Sequence, residues 1–102
     1  MAQFQAYRNP RASKRDVPFL LDLQSDFVET PSRLVVPLIR RNRYGPTYGR
    51  LNPELEVRDI AVVVSMSDLA AIAASELRQP VADLSEHREA LIPALDFLIS
   101  GL

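Results

Sequence analysis

The clearest period in this sequence is helical, and it is confined to the last segment of the chain. Apolar residues recur at Leu84, Leu91, Ile92, Leu95, Leu98, Ile99 and Leu102. This three-and-four spacing lines one face of a helix. Asp83 and Glu86 have the spacing of a capping box, with Ser85 as an alternative N-cap. Gly101 stands where such a helix would end. Pro93 lies inside it, removes one backbone donor and predicts a kink. A single amphipathic helix has nothing to bury its apolar face against except the rest of the chain, and the rest does not carry its period.

That remainder is a series of short β-like runs cut by turn residues. Gln3 to Tyr7 alternates polar and apolar and predicts a first strand, followed by a polar loop over Arg8 to Pro18. Phe19 to Leu23 is a compact apolar run whose one carboxylate, Asp22, is expected to face the surface or a partner. Gln24-Ser25-Asp26, the apolar pair Phe27 and Val28, and Glu29-Thr30-Pro31-Ser32 then form a turn region. Arg33 to Ile39 is strongly β-like, but Pro37 cannot donate to a ladder, so an edge position or a bulge is expected there. Arg40 to Pro53 is a long loop with two Gly and two Pro. Leu55 to Ser67 alternates at first and then becomes the fully apolar Ile60–Val64, the signature of a buried strand. Leu69 to Leu77 is open: its alanines favour helix, while the short turn at Ser67-Asp68 equally allows a strand. The pattern predicts one mostly antiparallel β domain over residues 1–102, closed by a C-terminal helix, without internal repeats.

Composition excludes several function classes. The 102 residues include no Cys, which removes disulfide scaffolds, iron–sulfur clusters, thiol catalysis and Cys-type zinc sites. One histidine, His87, leaves no imidazole pair for a metal, and no cofactor is expected. The net charge of −1 argues against a protein that coats nucleic acid by bulk electrostatics. The longest mostly apolar run, Ile60 to Ser67, stops at Asp68, short of the roughly 18 residues of a membrane span. Met1-Ala2-Gln3-Phe4 lacks the basic-then-apolar order of a signal peptide, so a cytoplasmic protein without a membrane role is expected.

Charge is unevenly spread. Residues 1–50 hold nine basic and four acidic side chains, residues 51–102 three and nine, so the halves carry +5 and −6. The basic residues cluster at Arg8, Arg11, Lys14 and Arg15, and at Arg40, Arg41, Arg43 and Arg50. Both clusters fall in loop-forming segments. They are either ordinary solvated loops or an electropositive surface for an acidic protein partner.

Catalytic constellations are hard to assemble. Gly45, Gly49 and Gly101 fit no phosphate-binding motif. Ser85, Glu86 and His87 are consecutive in one turn and point in different directions, so they make no relay. Asp22, Asp26 and Glu29 match no metal-binding loop and read as turn carboxylates. The residues favour a binder over an enzyme. The apolar ending Phe97-Leu98-Ile99-Ser100-Gly101-Leu102 is unusual, since termini of soluble domains are commonly frayed and polar. Leu102 either tucks into its own core or belongs to an interface.

Phe19-Leu20-Leu21-Asp22-Leu23-Gln24-Ser25-Asp26, Thr30-Pro31 and Arg33-Leu34-Val35-Val36-Pro37-Leu38 resemble the N-terminal half of the CcdB toxins. Leu51, Pro53, Asp59, Asp68 and Val81-Ala82-Asp83-Leu84-Ser85 follow in the same order, and Ser100-Gly101-Leu102 closes at the family's end point. The similarity spans nearly the whole chain. Each motif alone is weak; their joint order and spacing are specific.

The resemblance implies a mainly β fold, an SH3-like barrel with a five-stranded antiparallel sheet, a small accessory sheet and a C-terminal helix. It places Leu69–Leu77 in a strand. It implies a homodimeric toxin of a type II toxin–antitoxin module. Such a toxin binds the A subunit of DNA gyrase and traps the cleaved complex without performing chemistry itself. The gyrase-binding positions carry over to Phe27, Val28, Asp96, Ile99, Ser100, Gly101 and Leu102. The family's best-known member has Trp in place of Ser100, and Asn in place of Pro93 and Asp96. A cognate CcdA-like antitoxin, with a disordered acidic arm, is implied as the second partner. Arg8, Arg11, Lys14, Arg15, Arg41 and Arg43 are candidate docking positions for it. Toxin and antitoxin together repress their operon in this family, so DNA is contacted only indirectly. Two alternatives share the same barrel: an endoribonuclease toxin of the MazF and Kid type, or a member that binds antitoxin without poisoning gyrase.

Overall fold

Alternating residues put two separate apolar sets on the two faces of one curled antiparallel sheet. The structure, a computed structural model, describes residues 2–101. Its strands are β1 (Gln5–Arg8), β2 (Phe19–Asp22), β3 (Ser32–Arg40), β4 (Glu54–Val57), β5 (Ile60–Val64), β6 (Ala70–Ala73) and β7 (Pro80–Asp83), and one helix, α1 (Arg88–Ser100), follows. The strands run in the order β4-β5-β3-β2-β1-β7, with β6 also paired to β3. The fold is therefore mainly β, a half-barrel closed by a C-terminal helix. Its seven strands form one branched sheet; the accessory strand β6 is continuous with the main sheet through β3, where five strands and a separate small sheet were expected.

The inner face carries the main core: Ala6, Phe19, Leu21, Val36, Leu38, Leu55, Val57, Val62 and Val64, covered by Met66, Leu84, Leu91 and Ala94. The outer face carries a smaller one: Tyr7, Leu20, Val35, Ile72 and Leu77. This two-sided burial explains the continuous apolar runs in β2, β3 and β5. The sheet's two ends are tied by a side chain, because Arg58 Nε, from the turn after β4, donates to the Val81 carbonyl of β7 at 2.8 Å.

Several expectations change. Asp22 is completely buried rather than turned to the surface or a partner. Its Oδ2 accepts from Arg33 Nε at 2.9 Å and its Oδ1 from the Gln24 backbone N–H at 3.0 Å. Pro37 is neither on an edge strand nor at a bulge. Strand β3 pairs with β6 over Ser32–Val35 and with β5 over Leu38–Arg40, so Pro37 falls where the partner changes. Leu23 N–H donates to the Leu34 carbonyl, which makes Leu20–Pro37 a non-hydrogen-bonded pair with β2. On the other side the Pro37 carbonyl accepts the Ser65 N–H at 3.1 Å, and the Ser65 carbonyl, which a Pro37 N–H would have met, accepts the Asp68 N–H at 2.9 Å instead. Leu55–Ser67 is a hairpin rather than one run. It reverses at Arg58 and Asp59, both left-handed at φ 51° and 65°, a turn usually marked by Asn or Gly. The 70–77 segment splits into β6 and a 3-10 turn at Ala74–Glu76.

The helix also starts later than the capping signals suggest. Asp83 Oδ1 accepts the Ser85 N–H at 2.9 Å, but this closes a 3-10 turn over Ser85–His87. The α-helix proper begins at Arg88 without a side-chain cap, and it runs continuously through Pro93. Gly101, at φ 75°, terminates it in the left-handed conformation, donating its N–H to the Phe97 carbonyl at 2.9 Å.

Candidate functional site

The apolar stripe of α1 outlasts the barrel beneath it. Leu91 and Ala94 are fully buried, and Arg50, from a 3-10 turn at Gly49–Leu51, lays its guanidinium 4.4 Å from the Phe97 ring centre. Beyond that contact the stripe emerges into solvent. Leu98 is 38% exposed and Ile99 74%. Asp96, Ile99 and Ser100 share a face of the last turn by their three-and-four spacing. Ser100 Oγ donates to the Asp96 carbonyl at 2.7 Å. Gly101 then turns the chain off the helix. Leu102, the remaining tail assignment, lies outside the described residues.

Phe27 and Val28 come from the β2–β3 connection. Phe27 is 97% exposed and Val28 50%. An aromatic ring left in water forgoes burial worth about 1.5–3 kcal/mol, so its exposure is a feature the loop maintains. Gln24 organises that loop. Its Nε2 donates to the Val28 carbonyl at 2.7 Å and to Thr30 Oγ1 at 3.0 Å, while its Oε1 accepts the Leu34 N–H at 3.0 Å. Phe27 N–H donates to Ser25 Oγ, and Asp26 Oδ1 accepts the Gln3 N–H at 2.7 Å. Asp22, Asp26 and Glu29 are thus no carboxylate set: the first is ion-paired in the interior and the second holds backbone. Among the described residues no hydrogen bond joins this loop to the last turn of α1. The tail and the Phe27 loop are two apolar protrusions from different elements.

The two basic clusters, separate in sequence, meet in space. Arg40 N–H donates to the Asp16 carbonyl at 2.9 Å, its Nε to the Arg15 carbonyl at 2.8 Å, and Arg43 Nε lies 3.5 Å from Asp16 Oδ1. The loop carrying Arg8, Arg11, Lys14 and Arg15 therefore flanks the 3-10 turn that carries Arg41 and Arg43. Their charges are not equally available. Arg11 makes a two-pronged pair with Glu76, at 3.2 and 3.1 Å, and Arg41 pairs with Glu54 at 2.9 Å. Arg11's hydrogen bonds hold the Glu76 carboxyl below the usual carboxylate range, and the guanidinium is raised in return. Arg8, Lys14 and Arg15 make no ion pair among the described residues.

Sequence reasoning missed two contributors, Asn9 and Tyr48, and read a third, Arg40, only as a loop cation. Asn9 is buried and pins the basic loop: Nδ2 donates to Ser13 Oγ and the Val17 carbonyl, and Oδ1 accepts the Arg11 N–H. Its position at the mouth of a polar loop, before Pro10, is the signal that marks it. Arg40 acts as a bolt between the clusters rather than as an exposed charge. Tyr48, 71% exposed, precedes the 3-10 turn that meets α1 and carries no distinguishing pattern. His87 Nε2 lies 3.6 Å from Glu86 Oε1 at the surface, and backbone and side-chain hydrogen bonds from Ser85 hold the Asp83 carboxyl below its usual range.

The family comparison bears on this geometry directly. A family model described as CcdB protein matches residues 3–101 of the 102-residue chain. The chain belongs to the CcdB family. CcdB proteins are toxins of toxin–antitoxin systems and act on DNA gyrase. The match takes in the Phe27 loop, both basic segments and the CcdB tail as far as Gly101. No helix among the described residues of this CcdB-family chain is long and apolar enough to cross a membrane.

Proposed function

We propose that this protein is the toxin of a type II module that binds the A subunit of DNA gyrase and holds the enzyme in its covalent, cleaved-DNA state. The observation that carries the reading is the family match over residues 3–101. It acts by binding, with no catalytic residue of its own. Ile99 and Phe27 are apolar side chains already projecting into solvent, so they reach a partner without unfolding anything. Each contributes about 1.5–3 kcal/mol when fully desolvated. In a two-fold homodimer each contribution appears twice about one axis. A cognate CcdA-like antitoxin neutralises the toxin by docking an acidic arm on the joined basic loops, and the pair represses its operon through the antitoxin's DNA contacts. The protein works in the cytoplasm, where gyrase is.

The test is accumulation of linear DNA when purified protein is added to gyrase and supercoiled plasmid. Wild type is expected to raise it, and deletion of Ser100-Gly101-Leu102 to abolish the rise while leaving the circular dichroism spectrum unchanged. The deletion leaves the sheet intact because these residues follow every strand. Undiminished cleavage by the truncated chain would make the tail structural. Cleavage of RNA in place of DNA trapping would favour the ribonuclease alternative.

A further inference from the structure

The Arg11–Glu76 pair stands between two hollows, one ringed by charged side chains and one lined mainly by apolar ones. One, about 410 Å³, is lined by Arg8, Lys14 and Arg78, with Glu76 as its one acidic wall. The other, about 160 Å³, has Val17, Leu20, Val35 and Ile72 in its lining, with Arg11 on its rim. Asn9 borders both. Asp68 also lines the second hollow, but its Oδ2 accepts the Ser65 hydroxyl at 2.5 Å. About 150 Å³ of apolar space is enough to take up a benzene-sized group, so the smaller hollow has room for one aliphatic side chain.

We propose that Glu76 is an internal stand-in for a partner's carboxylate. In the free protein it occupies Arg11, and an extended acidic peptide exchanges for it, laying its carboxylates along Arg8, Arg11 and Lys14 and an adjacent aliphatic side chain into the hollow over Leu20 and Ile72. Charge complementarity selects the occupant: three cations surround one anion in the larger hollow, and that anion is already bound to the rim of the other. Exchange is easy because the pair is solvated, with side chains 56% and 36% exposed. Exposed pairs are generally held weakly; the two-pronged geometry makes this one firmer, but water and a competing carboxylate reach both partners. The backbone under Glu76 stays in place, since Ala74 N–H is fixed to the Pro31 carbonyl at 2.8 Å, so the exchange needs only a rotamer change. The assignment of this peptide to an antitoxin arm rests on the toxin reading above; the chemistry of the groove does not.

A fluorescent synthetic peptide alternating Glu with Leu, titrated by anisotropy against the full chain at low salt, tests the exchange. Glu76→Gln frees Arg11 and is expected to tighten binding by about three- to tenfold, the range of one exposed charge pair. Arg11→Ala is expected to weaken it by at least as much. Replacing Glu by Gln in the probe should remove binding, and replacing Leu by Ala should weaken it. Thermal melts confirm that both variants fold, as surface changes should. Equal affinity of wild type and Glu76→Gln, or equal affinity for the Glu and Gln probes, overturns the proposal. Gyrase-dependent DNA cleavage, run in parallel, should be the same for Glu76→Gln and wild type. If wild type fails to trap gyrase while the exchange holds, the toxin reading falls and the groove stands.

Discussion

Asp22 puts a carboxylate in the interior and answers it with Arg33 on the neighbouring strand. Asp22 faces Val35 across the β2–β3 ladder, so Arg33 is its diagonal neighbour on the same face, beside Tyr7, Leu20 and Val35. Arg33 also donates from Nη2 to the Gln24 carbonyl at 3.1 Å, tying the pair to the loop that displays Phe27. Removing one partner of a buried pair strands the other charge. Arg33→Met is therefore expected to cost about 3–5 kcal/mol in urea unfolding. In an Asp22→Asn background, which keeps the acceptor for the Gln24 N–H, the same change should cost much less. Full additivity in that cycle would show that the two residues stabilise the fold separately. The burial of Tyr7, with Asp22's charge adding to it, also pushes its phenol above the usual tyrosine value.

At the scale of elements, α1 tolerates a residue that helices usually exclude. Pro93 is the sixth residue of a continuous helix, and its ring displaces a hydrogen bond to the Glu89 carbonyl. The side chain is exposed, so nothing in the packing compensates. Pro93→Ala is expected to raise unfolding stability by about 1–3 kcal/mol, seen as a higher urea midpoint at unchanged slope. An unchanged or lower midpoint would mean that proline's restriction of the unfolded chain offsets the missing bond. The helix, its Gly101 stop and the strands from Phe19 and Arg33 were legible because period and punctuation are local. The β4–β5 reversal was not, because Arg58 and Asp59 are driven into left-handed backbone by the ladder on either side rather than by their own preference.

For the whole molecule, the exposed apolar residues define an oligomeric expectation. Leu98, Ile99, Phe27 and Val28 leave more large apolar surface in solvent than a small monomer ordinarily retains. Sedimentation equilibrium at micromolar concentration is expected to give a dimer mass; a clean monomer would show that these residues await a different partner. The charge asymmetry also becomes spatial at this scale. Arg40 holds the Arg8–Pro18 loop against the Arg41–Arg43 turn, and Glu76 and Glu54 from the acidic half temper Arg11 and Arg41.

By itself the sequence determined which segments are apolar and at what period, where the helix stops, which loops are basic and which family's motifs recur in order. All of these depend on neighbours within a few positions or on the bare succession of residues. Tertiary structure decided what long-range pairing alone can supply. It buried Asp22 because Arg33 arrives from another strand. It excused Pro37 because β3 changes partners there. It left Ile99 in solvent because the helix runs past the sheet. It also set Glu76 against Arg11, 65 residues away, on the groove between two hollows.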